Sequence, residues 1–184
     1  GKRVVAQIAP AVRVAIGEEF GLPAGKNTIG KIFTALRMLG FDTVFDTSFS
    51  ADLTVIEEAN ELVYKLKNGE QKYPLGNSLP LFTSCCPAWV RFVETKHPEL
   101  LPYVSTCKSP MEMFGAVLKE YYKPADEEAG METVSVAVMP CVAKKHEAAR
   151  EEFKRNEVPD VDYVITTKEL ILMIKELGIQ FDEI

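Results

Sequence analysis

The chain has 184 residues, of which 47% are hydrophobic and 26% are charged, a balance typical of an ordinary globular protein. Its 27 acidic residues outnumber its 21 basic residues, and the net charge of -6 argues against nucleic acid as a main partner. No apolar stretch approaches the roughly 20 residues of a membrane span, and the first residues lack the cleavage pattern of a signal peptide. Four unevenly spaced cysteines do not indicate a disulfide scaffold, so we expect the chain to lie in the reducing cytoplasm. The length predicts one domain, with two small lobes as the alternative.

Strand-like and helix-like segments alternate along the chain. Short apolar or β-branched runs predict strands at residues 3–8, 43–46, 81–84, 134–138 and 163–165. Helical spacing of apolar residues predicts helices at residues 10–20, 28–39, 52–68, 87–95, 109–122, 142–153 and 166–177. Residues 69–80 and 125–132 are expected to be surface connections. Because helices supply the crossovers that parallel strands need, this order predicts an α/β fold, with a mostly parallel sheet of about four to five strands and helices on both faces.

Three of the four cysteines lie where a predicted strand meets a proline turn. Cys85 and Cys86 directly precede Pro87, and Cys141 directly follows Pro140. Parallel sheets bind ligands at the carboxyl ends of their strands, so these cysteines could meet at one edge. Accessible thiolates bind soft metals or take part in redox chemistry. The alternative, that they are buried thiols that pack as small hydrophobic groups, stays open on the residues alone.

The remaining candidate residues have weaker signals. Glu58 and Glu61 are spaced i, i+3 on the predicted helix at 52–68, beside an apolar stripe, and such a carboxylate pair could relay protons. A solvated helix face is the alternative. Lys144 brings a cation close to Cys141, although it could equally be an ordinary surface lysine. Ser105 has no signal of its own beyond its place in a loop, and Cys107 is interpreted as structural.

Two longer stretches resemble signature motifs of the iron-only ([FeFe]) hydrogenases. They are Phe-Thr-Ser-Cys-Cys-Pro-Ala-Trp-Val at residues 82–90 and Met-Pro-Cys-Val-Ala-Lys-Lys-His-Glu at residues 139–147. The resemblance extends through residues 8–13, 52–58 and 108–110, and so covers essentially the whole chain. It implies that the chain forms one lobe of the large-domain fold of that family.

The resemblance also implies a cofactor, the H-cluster. This is a four-iron cubane joined through a cysteine to a two-iron unit that carries CO, cyanide and a bridging dithiolate amine. Cys86 and Cys141 would be two of the four cubane ligands, while Cys85 would be a thiol that passes protons to the bridging amine. The proton path would continue through Glu58, Ser105 and Glu61.

The cofactor pocket that the resemblance implies includes residues that are not ligands. Lys144 would donate a hydrogen bond to a cyanide, and its charge would compensate the anionic cluster. The residues that would shape the pocket around the two-iron unit are Pro10, Pro110 and Met139. Three positions depart from many relatives, which have serine, glutamine and glycine where this chain has Ala11, Met111 and Ala88.

The largest departure from the family concerns its third motif, Glu-x-Met-Ala-Cys-x-x-Gly-Cys. This motif does not occur in the sequence. That motif supplies the other two cubane cysteines. We therefore expect residues 1–184 to be part of a catalytic domain, roughly its first half, and to be inactive alone. The surface facing the missing half would be apolar, and self-association through that surface is a further expectation.

The resemblance leaves two other functions open. One is a non-enzymatic hydrogenase-like protein of iron–sulfur cluster assembly, and the other is a hydrogen-sensing relative. The thiol of Cys85 favours an enzyme that converts H2 and protons. The partners implied are ferredoxin or an NADH-linked subunit as electron carrier, and maturation proteins that install the two-iron unit.

Overall fold

A computed structural model describes residues 1–68 and 79–184. The strands are β1 (Lys2–Ile8), β2 (Thr43–Asp46), β3 (Glu132–Met139), β4 (Lys154–Arg155), β5 (Val158–Pro159) and β6 (Tyr163–Thr166). Four of them form a parallel central sheet in the order β2-β1-β3-β6, and the two short antiparallel strands β4 and β5 lie outside it. The α-helices are α1 (Pro10–Ala15), α2 (Ile29–Met38), α3 (Ser48–Asn68), α4 (Pro87–Lys96), α5 (Pro110–Tyr121), α6 (Lys123–Glu128), α7 (Ala143–Ala148) and α8 (Thr167–Glu176). The predicted α/β class and parallel sheet are confirmed.

Helices cover both faces of the sheet because successive side chains of a strand point to opposite faces. On β1, Ala6 and Ile8 belong to the main hydrophobic core, which also contains buried residues of α1, α2 and α8. Val5 points the other way and packs with Phe114 and Leu118 of α5. The two central strands are β1 and β3, and they are buried over most of their length.

The predicted strand at residues 81–84 is wrong. Phe82 forms only an isolated bridge to Val104 and does not join the central sheet. Its amide donates to the Tyr103 carbonyl oxygen at 2.7 Å, and its own carbonyl accepts from the Ser105 amide at 2.7 Å. Its ring also packs edge-on against Trp89, with centroids 5.9 Å apart. The backbone amide and carbonyl of Phe82 are therefore paired with residues 103–105 and not with a strand of the central sheet.

Several helix boundaries also differ from the prediction. The segment predicted as one helix at 10–20 is α1 followed by a 3-10 helix, Ile16–Phe20, and the segment at 142–153 is α7 followed by a 3-10 helix, Glu151–Phe153. Residues 125–132 are not a plain surface connection, since they contain most of α6 and the start of β3. Asp126 anchors α6 because it is buried, pairs with Arg3 at 2.9 Å and accepts from the Thr133 hydroxyl at 2.6 Å. Most of the predicted connection at 69–80 lies outside the described residues.

The described helices include none with the length and apolar character needed to cross a membrane. This finding covers residues 1–68 and 79–184.

Gly115 allows α5 to pack closely against the segment that follows β5. A Cβ atom at this position would lie 2.4 Å from the backbone oxygen of Asp160, closer than any non-bonded contact allows. Both helix and segment backbones would have to move to accept it. The absence of a side chain at this position therefore sets the distance between α5 and residues 160–161.

We expect Gly115→Ala to lower the free energy of unfolding by about 1–3 kcal/mol because it over-packs this contact. Urea denaturation of the full-length protein measures the change. Gly30→Ala in α2 is the matched control, since nothing lies within 4 Å of its added Cβ. Alanine is also the better helix former, so the control should leave stability unchanged or raise it by up to about 1 kcal/mol. Equal stability of the Gly115 variant and the parent would contradict the close contact.

Candidate active site at the carboxyl edge of the sheet

The carboxyl ends of β1 and β3 bring together several of the predicted site residues. β3 ends at buried Met139, and Cys141 follows two residues later. β1 ends at Ile8, and Pro10 begins α1 directly beyond it. The amide of Ala9 donates to the carbonyl oxygen of Val138 at 3.1 Å, which holds these two strand ends side by side.

The side chain of Lys144 connects the two cysteine-bearing segments. Its ammonium donates to the backbone carbonyl oxygen of Cys85 at 2.9 Å and forms an ion pair with Glu147 at 2.6 Å. On the same segment, the amide of Ala143 approaches the sulfur of Cys141 at 3.4 Å. Lys144 is therefore not an ordinary solvated lysine, and its side chain is only 13% exposed.

A second contact joins α4 to the segment after α7. The guanidinium of Arg150 donates to both carboxylate oxygens of Glu94, one of them at 3.1 Å. These hydrogen bonds lower the pKa of Glu94. Because Cys86 is the N-cap residue of α4, the pairing helps to fix that cysteine relative to Cys141.

The cysteine side chains fit the donor set that the resemblance implies. Cys85, Cys86 and Cys141 are all free and exposed, which excludes the alternative of buried packing thiols. Free and accessible thiols are what an iron–sulfur cluster requires of its ligands. Over the described ranges, no group of three or more His, Cys, Asp or Glu side chains is placed to hold a metal ion.

The predicted start of α5 is tied to the sheet edge. Pro110 is the first residue of α5, after Ser109 as N-cap. The buried amide of Gln7 donates to the backbone oxygen of Met111 at 3.0 Å, while its oxygen accepts from the Thr47 hydroxyl at 3.1 Å. This link holds the N-terminus of α5 against β1, so Pro110 lies on an element that the sheet positions directly.

Two members of the predicted proton path are in contact. The hydroxyl of Ser105 donates to Glu61 Oε2 at 2.7 Å, and both residues are buried. Glu58 is half-buried, and one of its carboxylate oxygens is buried without a hydrogen-bond partner. No hydrogen bond links Glu58 to Ser105 or to Cys85 in the part of the chain that the structure describes.

One cavity is bordered both by Ser84, the residue before Cys85, and by Ser105. Its lining includes Ser84, Ser105, Cys107 and Glu147, between α4, the segment before α5, and α7. The hydroxyl of Ser84 also donates to the carbonyl oxygen of Cys107 at 2.6 Å. The residue before Cys85 and the serine of the predicted path therefore border one common space.

Cys107 and Lys65 are residues that sequence reasoning did not place in the site. The sulfur of Cys107 lies 3.6 Å from Glu61 Oε2, and desolvation, with the nearby carboxylates of Glu61 and Glu58 adding to it, raises the pKa of this thiol to about 11. Lys65 Nζ lies 3.0 Å from Glu61 Oε1, and both side chains are 1% exposed. The i, i+4 spacing of Glu61 and Lys65 was the available signal for this pair.

The pair is buried because α3 presents its polar side to the protein interior. Ser50, Thr54, Glu61 and Lys65 are buried. The predicted apolar stripe, in contrast, is exposed, and it comprises Val55, Ile56, Ala59, Leu62, Val63 and Leu66. An apolar stripe on a helix usually faces the core of its own chain, but the stripe of α3 does not.

We expect Lys65→Met to lower the free energy of unfolding by about 3–5 kcal/mol, because it leaves the buried carboxylate of Glu61 without its counter-charge. Urea denaturation at neutral pH measures this loss. Lys67→Met is the matched control on the exposed side of the same helix, and it should change stability by no more than about 0.5 kcal/mol. Equal effects of the two substitutions would show that the Glu61–Lys65 pair does not contribute to the free energy of unfolding.

Comparisons with known proteins identify the family of the chain. The family model described as iron only hydrogenase large subunit, C-terminal domain, matches residues 2–184. The chain is 49% identical, over 183 residues, to the NADP-reducing hydrogenase subunit HndD of Solidesulfovibrio fructosivorans, covering 98% of this chain and 31% of that protein. It is 35% identical, over 196 residues, to Protein NAR1 of Arabidopsis thaliana, covering 100% of this chain and 41% of that protein.

Among solved structures, apo [FeFe]-hydrogenase HydA1 from Chlamydomonas reinhardtii, in a variant form, superposes on the chain with a TM-score of 0.86 at 44% identity. The match covers 100% of this chain and 45% of HydA1. The chain thus spans less than half the length of the relatives it matches, and it is more similar to HndD than to NAR1. It belongs to the iron-only hydrogenase family, as part of the C-terminal domain of the large subunit.

Proposed function

We propose that this chain supplies part of the catalytic site of an [FeFe] hydrogenase, which converts protons and electrons to H2 and back. The observation that carries the proposal is the hydrogen bond from Lys144 to the Cys85 carbonyl, which brings the two cysteine motifs of the family to one place. Cys86 and Cys141 would hold two corners of the cubane. The complete H-cluster, when bound, would supply electron transfer and an open iron for hydrogen.

The residues of this chain would handle the protons. The thiol of Cys85 is exposed at the site, so it can take up and release a proton there. The carboxyl of Glu58 has a buried oxygen with no partner, which leaves it able to accept a proton. Ser105 and Glu61 are already hydrogen-bonded at 2.7 Å, and this is the geometry of a short proton exit towards α3.

Lys144 and the pocket residues would orient the cofactor. The ammonium of Lys144 has an acceptor in Cys85 and an anion in Glu147, and a further acceptor such as cyanide would complete its donor set. Pro10, Pro110 and Met139 begin or end elements at the same edge. They would bound the pocket with rigid, mostly apolar surface.

The exposed stripe of α3 supports the proposal that a further part of the catalytic domain packs on this chain. Val55, Ile56 and Leu66 are each more than half exposed on one helix face. Large contiguous apolar surface of this kind usually marks an interaction site. The remaining half of the domain would cover it and bring the other two cubane cysteines, and self-association through the stripe is the competing outcome.

The electron carrier and the assembly partners are part of the same proposal. Ferredoxin or an NADH-linked subunit would exchange electrons with the cubane, and maturation proteins would install the two-iron unit. A role in iron–sulfur cluster assembly without hydrogen chemistry is the second candidate, and it is favoured because a protein named cytosolic Fe-S cluster assembly factor narfl, from Danio rerio, also matches the chain at 34% identity. The free thiol of Cys85 favours the hydrogenase, because only that function needs a proton carrier there.

Cys85→Ala in the loaded full-length protein should abolish H2 turnover while the cubane stays bound. The reason is that the thiol carries protons and does not hold iron in this proposal. Hydrogen evolution from a reduced dye measures turnover, and iron content with electron paramagnetic resonance measures the cubane. Thr95→Ala, an exposed position on α4, is the control and should match the parent in both. Loss of the cubane signal in the Cys85 variant would show that the roles of Cys85 and Cys86 are reversed.

Residues 1–184 expressed alone should evolve no H2, even after treatment with iron, sulfide and a synthetic two-iron unit. Two thiolates cannot complete the four-cysteine ligand set of a cubane. The same reconstitution of the full-length protein is the positive control. Hydrogen evolution from the isolated segment would refute the need for ligands beyond Cys86 and Cys141.

A further inference from the structure

The chain contains two capping motifs of the same type whose glutamates are used differently. At the start of α8 the motif is closed, since the Thr166 amide donates to Glu169 Oε2 at 2.7 Å and the Glu169 amide donates to the Thr166 hydroxyl at 3.2 Å. At the start of α5 only half of it forms, as the Glu112 amide approaches the Ser109 hydroxyl at 3.4 Å. Both carboxyl oxygens of Glu112 are buried without a hydrogen-bond partner.

Glu112 is fully enclosed. Its exposed fraction is 0%, although glutamate is among the residues least often buried without a partner. Gly115, one helical turn further on α5, lies against the backbone of Asp160, so the segment after β5 covers this side of the helix. Because the carboxyl group of Glu112 is not exposed, bulk water cannot supply the hydrogen bonds that it lacks.

The charges that act on Glu112 already balance without it. Two cations and two anions act on it electrostatically: Lys144 and Glu147 on α7, Lys108 before α5, and Asp160 after β5. Lys144 pairs with Glu147 at 2.6 Å, and Lys108 pairs with Asp160. An ionised Glu112 would be a fifth charge with no counter-ion of its own, at a high cost in a buried place.

The titration of the two glutamates reflects this difference. Burial raises the pKa of Glu112 to about 8, with the charges of Glu147 and Asp160 adding to the effect and Lys108 and Lys144 offsetting part of it. The hydrogen bond from Lys145 and the closed capping motif lower the pKa of Glu169 to about 2.

We propose that Glu112 is a positioning residue, which stays a neutral, proton-bearing carboxylic acid beside the Lys144–Glu147 pair. Its neutrality leaves the Lys144 ammonium in its ion pair with Glu147 and in its hydrogen bond to the Cys85 carbonyl. An ionised Glu112 would be a second anion competing for that ammonium. The relevance of Lys144 to a cofactor rests on the proposed function, but the protonation of Glu112 does not.

The test is a pH titration of the full-length protein, purified without iron, with its glutamate side-chain carboxyl carbons labelled with 13C. One NMR resonance, absent from the spectrum of Glu112→Gln, should keep its protonated chemical shift through neutral pH and titrate near 8. The Glu147 resonance should move with the same midpoint in the parent and lose that step in Glu112→Gln. The Glu169 resonance is the internal control, since it should already be ionised throughout.

Stability gives a second readout. Because the folded state holds the Glu112 proton more tightly than the unfolded chain, the urea midpoint of the parent should fall as pH rises from about 5 to 9, and this part of the fall should vanish in Glu112→Gln. If Glu112→Gln does not fold, Glu112→Met, which keeps the volume and removes the charge, replaces it. Glu120→Gln, at an exposed site on α5, should keep the pH dependence of the parent.

Two results would overturn the inference. A Glu112 resonance that titrates near the ordinary glutamate value of 4.5 would show that the residue is a carboxylate at neutral pH. A Glu112 that titrates near 8 while Glu147 does not respond would remove its influence on the Lys144 pair. Failure of the protein to bind an H-cluster would count against the proposed function and leave both of these measurements unchanged.

Discussion

The site depends on the contacts of one side chain, Lys144. The residue lies 59 positions from Cys85 in sequence, yet its ammonium reaches the Cys85 carbonyl. The sheet fixes one end of this link, because Cys141 and Lys144 follow directly on β3, which is hydrogen-bonded on both sides. Cys85, at the other end of the link, lies just before α4. The ion pair between Glu94 and Arg150 holds that helix against the segment after α7. The arrangement of these two distant motifs at one edge of the sheet therefore depends on a central strand and two charged contacts.

The polar interior of α3 is the second organising feature. Burying Glu61 and Lys65 costs desolvation energy, and the structure offsets it by pairing the two charges and by adding the hydrogen bond from Ser105. The same helix exposes an apolar stripe. This arrangement reverses the usual amphipathic helix, because ionisable side chains lie inside and apolar side chains lie outside. In the proposed function, proton transfer and domain assembly would use opposite sides of this one helix.

The fold could be predicted from the sequence where local patterns decide it. The β-branched run at residues 134–138 and the apolar run at 3–8 are central strands, as their composition predicts. The family that two motifs of the sequence resemble is confirmed by the family match. The run at 81–84 looked like a strand by the same criterion, but its partner is a neighbouring loop. Hydrophobic periodicity likewise identified two faces on α3 without showing which one the chain buries.

Pairwise contacts were the part that the sequence did not reveal. The roles of Cys85, Cys86 and Cys141 came from the resemblance and remain predictions, although their exposure agrees with them. The spacing of Ser109 and Glu112 by itself predicts only an ordinary capping box, because nothing local shows that Lys108 and Lys144 are already paired with other anions. Such charge balances depend on residues far apart in sequence, and only the folded arrangement brings them together.

The central claim is that Cys86 and Cys141 hold one iron–sulfur cubane between them. Iron and sulfide analysis with electron paramagnetic resonance on the reconstituted full-length protein tests it, with Cys86→Ser and Cys141→Ser compared with the parent. The account predicts a cubane signal in the parent and its loss or severe reduction in each variant. An unchanged cubane in both variants would contradict it.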